Sequence, residues 1–173
     1  MKKLAILRHA KSAWSLPGEG DESRRLNDRG HEQLGILSGW LDKSGFTPDH
    51  IICSTATRTR ETLGGLSHKF DTSKAEFDAN LYLTSIDAYL DTIWGAPDCE
   101  TLLIIGHNPT CDELVRYLAN SGSPAMETLL LHHFSTGTLA IMELDVAAWS
   151  QVSRAKGQLT HFLRPKLIQE GAF

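Results

Sequence analysis

Four residues stand out for the chemistry their types permit: Arg8, His9, Arg58 and His107. They fall in three polar stretches, Arg8-His9-Ala10-Lys11-Ser12, Ser54-Thr55-Ala56-Thr57-Arg58 and Gly106-His107-Asn108-Pro109, each directly after a short apolar run. In an open α/β sheet, ligands bind beyond the carboxyl ends of the strands, where strands turn into helices. Taken singly, each residue has an ordinary reading as a hydrogen-bonded turn histidine or a solvated arginine. Placed together at the ends of three strands, two arginines and two histidines make a positive pocket of planar donors. Guanidinium forks match phosphoryl oxygens with paired hydrogen bonds, so a phosphoryl group is the ligand such a pocket suits.

The elements that must position these residues are read from periodicity. Strand-type runs at Lys3–Leu7, Ile51–Cys53, Thr101–Ile105 and Thr138–Leu144 alternate with segments of helical spacing, which predicts a mostly parallel sheet covered by helices. The unbroken run Leu102-Leu103-Ile104-Ile105 reads as a central strand buried on both faces. A first helix is expected over 28–43, with Leu34, Leu37, Trp40 and Leu41 on one face and Gly45 as its C-cap. A second follows Arg58, with Leu63, Leu66 and Phe70 facing inward, although Gly64-Gly65 weakens it. A third is capped by Ser85 and carries Ile86, Tyr89, Leu90 and Ile93; a fourth begins at Asn108-Pro109, with Asn108 as N-cap. After a short segment around 146–152, Gln158–Arg164 reads as a last edge strand before Pro165.

Bulk properties bound the rest. The chain has 173 residues, 41% hydrophobic and 22% charged, with a formal net charge of −4. That composition and length predict one globular domain over 1–173 that needs neither disulfides nor a structural metal for stability. No Lys/Arg run forms a nucleic-acid or headgroup footprint, and no apolar stretch is long enough for a secretory or membrane-spanning segment. Neither nucleic acid nor membrane is therefore expected as a partner, and a cytoplasmic location is. The three cysteines match no zinc pattern and read as reduced, buried thiols. A monomer is expected.

With Arg8-His9-Ala10, Arg25-Leu26, Arg29-Gly30, Ser54 to Arg58 with Thr62, Gly106-His107-Asn108-Pro109 and a closing Leu163-Arg164-Pro165 in this order, the chain resembles the histidine phosphatase superfamily. Within it, the small SixA-type phosphohistidine phosphatases are the nearest likeness. The resemblance implies a phosphoglycerate mutase-like α/β/α domain and a metal- and cofactor-independent phosphatase. In it His9 takes the phosphoryl group, while Arg8, Arg58 and His107 bind and stabilise it. Asn27 is expected as a further donor. Three departures spare the catalytic groups: Ala10 replaces the usual Gly, Thr55 stands where Pro is common, and Leu26 follows Arg25 without an intervening Pro. A fourth bears on substrate. Relatives acting on phosphate esters place a Glu in the segment resembling Asn80-Leu81-Tyr82-Leu83, which has no carboxylate here.

An alkoxide leaving group needs a proton, whereas the P–N bond of phosphohistidine is labile and imidazole leaves with less help. The missing Glu therefore favours phosphohistidine in a signalling or phosphotransfer protein, with Asp78, Asp87, Glu76 and Tyr82 as the groups that could supply a proton instead. No inserted segment long enough to close over substrate is found, so an open, shallow pocket is expected. The main alternative is a phosphatase of small phosphate esters or sugar phosphates; another is a non-catalytic phosphoprotein-binding module. A cysteine phosphatase would need one more residue between Cys53 and Arg58. A metal hydrolase lacks suitably spaced ligands around His9 and His107.

Overall fold

The computed structural model describes residues 1–171. Strands β1 (Lys2–Arg8), β2 (His50–Ser54), β3 (Glu76–Asp78), β4 (Thr101–Gly106), β5 (Leu139–Leu144) and β6 (Gly157–Leu163) form one sheet in the order β3-β2-β4-β1-β5-β6. Pairing is parallel among β3, β2, β4 and β1, and antiparallel from β1 to β5 and from β5 to β6. The sheet is thus mostly parallel, with β5 alone reversed. Helices α1 (Asp28–Ser44), α2 (Thr57–Gly65), α3 (Ile86–Trp94), α4 (Thr110–Leu118), α5 (Pro124–Leu131) and α6 (Pro165–Glu170) connect and cover the strands.

Side chains alternate across a strand, so one buried strand feeds two cores. On β4, Leu102 and Ile104 join Leu4 and Ile6 of β1 against Tyr89, Ile93, Leu114 and Leu118 of α3 and α4. Leu103 and Ile105 join Ala5 and Leu7 against Leu34, Leu37, Leu41 and Leu63 of α1 and α2 on the opposite face. The result is a three-layer α/β/α domain whose central strands β4 and β1 are dry on both sides.

Helix boundaries follow local chemistry. The Asn27 side chain accepts from Gly30 N and starts α1, and Gly45 ends it in the left-handed conformation at φ 65°. The expected Asn108 cap is corrected: Pro109 occupies the N-cap position of α4, and Asn108 Nδ2 instead donates to Phe134 O at 2.9 Å. Three elements escaped the sequence reading. Strand β3 is three residues long with exposed Glu76 and Phe77, an edge blunted by charge rather than an apolar run. Helices α5 and α6 each begin with Pro in the first turn, and α5 is capped by Ser123. No helix among the described residues is long and apolar enough to cross a membrane.

Candidate active site

The carboxyl ends of β1, β2 and β4 lie side by side in the sheet and deliver His9, Ser54 and His107 to one place. His9 N donates to Gly106 O at 3.1 Å, which ties the end of β1 to the end of β4. The imidazoles of His9 and His107 lie 5.3 Å apart between ring centres. His9 Nδ1 is 2.8 Å from Ala10 O, and a carbonyl oxygen can only accept, so Nδ1 carries the proton and Nε2 keeps its lone pair. The ring nitrogen left free to act on a ligand, open in the sequence, is thereby Nε2. Ala10 stands in place of the usual Gly without strain, since it is not among the residues with positive φ.

The loop after His9 is clamped from two helices. Ala10 N donates to Thr62 Oγ1 at 3.0 Å, and Thr62 Oγ1 donates to Arg58 O at 2.7 Å. Lys11 N donates to the buried Gln33 Oε1 at 2.8 Å, and Asn27 N to Lys11 O at 3.0 Å. A Cβ at Gly30 would overlap the Lys11 carbonyl, so this close approach of α1 requires glycine. Asn27, expected as a donor to the ligand, has both side-chain polar atoms engaged: Oδ1 caps α1, and Nδ2 donates to Ser12 O at 3.3 Å.

His107 sits on a strut. Its backbone N donates to Tyr89 Oη at 3.0 Å, Tyr89 Oη donates to Leu81 O at 3.1 Å, and its Nε2 meets Ser54 Oγ at 2.8 Å. A Cβ at Gly106 would overlap the Tyr89 hydroxyl, which explains the glycine before His107. His107 Nδ1 is buried without a protein partner. Tyr89 reads in the sequence as a core residue only; its hydroxyl makes it part of the site's support.

Arg8 Nη1 donates to Phe134 O at 2.8 Å, the carbonyl that also receives Asn108, while its Nε is buried and unpartnered. Arg58, only 4% exposed, lies with its guanidinium carbon 5.7 Å from the centre of the Tyr82 ring. Its Nη1 donates to Asp21 O at 2.7 Å and its Nη2 to Asp21 Oδ2 at 3.0 Å. Asp21 also accepts from Tyr82 Oη at 2.8 Å and Arg24 Nη1 at 2.8 Å. This carboxylate is the site residue the sequence reading missed. It belongs to a short helical turn, Asp21–Ser23, in the long connection from β1 to α1. The signal available was the length and charge of that connection, since long loops beside strand ends often carry function. The loop reaches Arg58 and engages its Nη1 and Nη2.

The electrostatics follow from burial. His9, 8% exposed, is pushed down to about 3 by burial and then by His107, Arg58 and Arg8. His107 is pushed down to about 4 by burial and then by Arg58. Both rings are therefore neutral near pH 7, and Nε2 of His9 is available as a nucleophile. Hydrogen bonds from Arg24 and Tyr82, with the charge and hydrogen bond of Arg58, hold the Asp21 carboxyl well below the usual carboxylate range, so it is ionised. The Cys53 thiol is fully buried and pushed up to about 12 by that burial, which leaves it protonated and inert. Of the other carboxylates weighed as acids, Asp78 accepts from Asn80 N and Thr92 Oγ1, and Glu76 lies 3.1 Å from His50 Nε2 on the edge strand without hydrogen-bond alignment.

A doubly covered, mostly parallel sheet with a histidine-arginine pocket at its carboxyl edge defines a class, and the sequence agrees: the profile of the histidine phosphatase superfamily (branch 1) matches residues 4–82. The chain belongs to that superfamily and is a phosphatase. It is 32% identical over 163 residues to the uncharacterized protein Rv1276c of Mycobacterium tuberculosis, covering 92% of this chain and all of that one. A structure from Nakamurella multipartitia assigned as phosphohistidine phosphatase SixA superposes with a TM-score of 0.80 at 27% identity, over 95% of this chain and 96% of that one. The protein histidine phosphatase SixA complexed with tungstate shares the fold at a TM-score of 0.76 and 20% identity, over 95% of this chain and 97% of that one. The chain is thus similar to the SixA type within the superfamily.

Proposed function

We propose that this chain dephosphorylates phosphohistidine in a protein through a phosphorylated His9. His9 Nε2 attacks phosphorus, and the P–N bond to the substrate imidazole breaks with its electron pair returning to that imidazole, which takes a proton from solvent. Water then attacks the phosphorus held on Nε2, and the P–Nε2 electrons return to His9 as phosphate leaves. Arg8 and Arg58 neutralise the equatorial oxygens, and His107 donates from Nδ1. In phosphoryl transfer such fixed donors carry most of the catalysis. Arg58 must exchange its Asp21 partner for the phosphoryl oxygens when substrate arrives.

The observation that carries the substrate class is the state of Asp21. The carboxylate that the fold brings to the site is ionised and already accepts from Arg24, Tyr82 and Arg58. It is a poor proton donor to an alkoxide, which disfavours esters and leaves P–N substrates, whose leaving group needs less help. The likeness to SixA-type proteins supports the same choice.

The test compares phosphate release from a phosphohistidine protein with that from an aryl phosphate ester at neutral pH, with chelator present, for wild type and His9→Ala. Preference for the P–N substrate that survives chelator and disappears with His9→Ala is expected. Efficient ester hydrolysis with little action on phosphohistidine would move the substrate to small phosphate esters. Binding that His9→Ala leaves intact, with no turnover by wild type, would make the chain a phosphoprotein-binding module.

A further inference from the structure

Beside the His9 pocket, and sharing Arg8 with it as a wall, lies a half-open cleft of about 500 Å³ that the proposed chemistry does not use. Its cations are Arg8, Lys11, Arg29, Arg164 and Lys166, against the single carboxylate of Glu32. This concentration occurs in a chain of net charge −4, so it is a local feature rather than a consequence of composition. Its floor is built, not merely solvated. Arg8 Nη1 donates to Phe134 O at 2.8 Å and Arg164 Nε to Ser135 Oγ at 3.4 Å, so consecutive residues hold two guanidinium groups on one surface. Both arginines are half-buried, and Arg8 Nε is buried without a partner. Among the described residues, Arg8, Lys11, Arg29 and Arg164 form no ion pair, and Lys166 has only a loose one to Glu170 at 3.9 Å.

Like charges gathered in excess of their counter-charge repel one another, and an anionic ligand relieves that repulsion. Because the cleft begins at Arg8, its occupant is continuous with the group delivered to His9. A half-open, polar groove rimmed by long exposed cations suits an irregular acidic segment better than an apolar small molecule.

We infer that this cleft binds acidic side chains flanking the phosphohistidine of a protein substrate, so that Arg8, Arg29, Arg164 and Lys166 select phosphoproteins whose target histidine lies beside Asp or Glu. The inference rests on the phosphohistidine reading above and deepens it. Arg8 serves both sites; the other three make the selection.

The experiment compares kcat/KM for free phosphohistidine and for two phosphohistidine peptides, one flanked by glutamates and one by glutamines. The enzymes are wild type and the double variant Arg29→Glu/Lys166→Glu. Both changes are at exposed first-turn positions of α1 and α6, where acidic residues suit the helix dipole and folding is preserved. Wild type should favour the glutamate peptide about tenfold or more at low ionic strength, and salt should erode the preference. In the double variant that preference should vanish while free phosphohistidine is hydrolysed at the wild-type rate.

Equal rates on the two peptides with wild type, a preference that survives the double variant, or an equal loss on all substrates would overturn the inference. Failure of the parent reading is separable. If neither phosphohistidine peptide turns over, the same flanks on phosphotyrosine peptides are tested for binding to the His9→Ala protein. A glutamate preference abolished by the double reversal keeps the acidic-segment cleft and rejects only the phosphohistidine assignment; its absence rejects the cleft as well.

Discussion

The strand ends that carry His9 and His107 and the loop that carries Asp21 meet at Arg58, yet they are built in different ways. His9, Ser54 and His107 are at most 8% exposed and held by sheet and strut contacts: His9 N to Gly106 O, His107 N to Tyr89 Oη, and His107 Nε2 to Ser54 Oγ. The loop instead exposes Trp14 and Leu16, at 87% and 64%, and is fastened by polar contacts, among them those of the Arg24 and Arg58 guanidinium groups. Groups that must not move are placed on rigid elements, and the group that must yield to substrate is placed on a segment with few buried apolar contacts. The difference separates two kinds of site residue, and substitutions should divide along it.

The largest effect belongs to the strand end. His9→Ala removes the only atom that accepts the phosphoryl group in the proposed mechanism, and kcat/KM should fall by about 10⁴-fold or more, with folding retained by circular dichroism. Arg58→Ala, at the junction, should reduce kcat by about 10²–10³-fold, the size expected for one lost oxyanion donor, as measured by steady-state kinetics. Tyr89→Phe removes the hydroxyl between His107 N and Leu81 O and leaves both buried groups short of a partner. A loss of about 1–3 kcal/mol in denaturant stability is expected, together with a lower kcat. Asp21→Asn should have the smallest effect. The carboxylate is 43% exposed, so its hold on Arg58 is screened, and inhibition by inorganic phosphate should tighten by no more than about fivefold. An effect of Asp21→Asn as large as that of Arg58→Ala would erase the distinction between frame and loop.

Acidity sharpens the same contrast. Both imidazoles have folded-state pKa values below the unfolded value of about 6.5. The stability linked to their neutral form is therefore complete above about pH 6.5. It is lost as pH falls toward about 4 and then 3, because the unfolded chain takes up these protons first. The acid limb of kcat/KM, corrected for ionisation of the substrate, should accordingly follow the nucleophile His9 and lie near pH 3. A limb near 6.5 would mean that burial does not govern these rings.

The same contrast explains what was legible in the sequence. Arg8, His9, Arg58 and His107 follow apolar runs that could only be strands, and the parallel topology brings the ends of such strands together. Their placement is therefore a consequence of pattern. Asp21 lies in a polar connection whose path depends on Arg24 and Arg58, contacts that spacing does not encode. Tyr89 was visible as a core residue through its helical period, but its hydroxyl acts through Gly106 and His107 on a different element. Strand β3 has no apolar pattern to read because it exists only by pairing with β2. The Ser123-Pro124 start of α5, by contrast, was a readable signal that the sequence reading left unplaced.

The central claim is that His9 becomes phosphorylated. Wild-type enzyme mixed with radiolabelled phosphohistidine protein, acquired on the millisecond scale and quenched in alkali, should carry an acid-labile, alkali-stable phosphoryl group on His9 Nε2. That label should be lost on chase with unlabelled substrate and be missing from His9→Ala. Turnover without such a label at any time, or a label at another residue that chases at the same rate, would contradict the account.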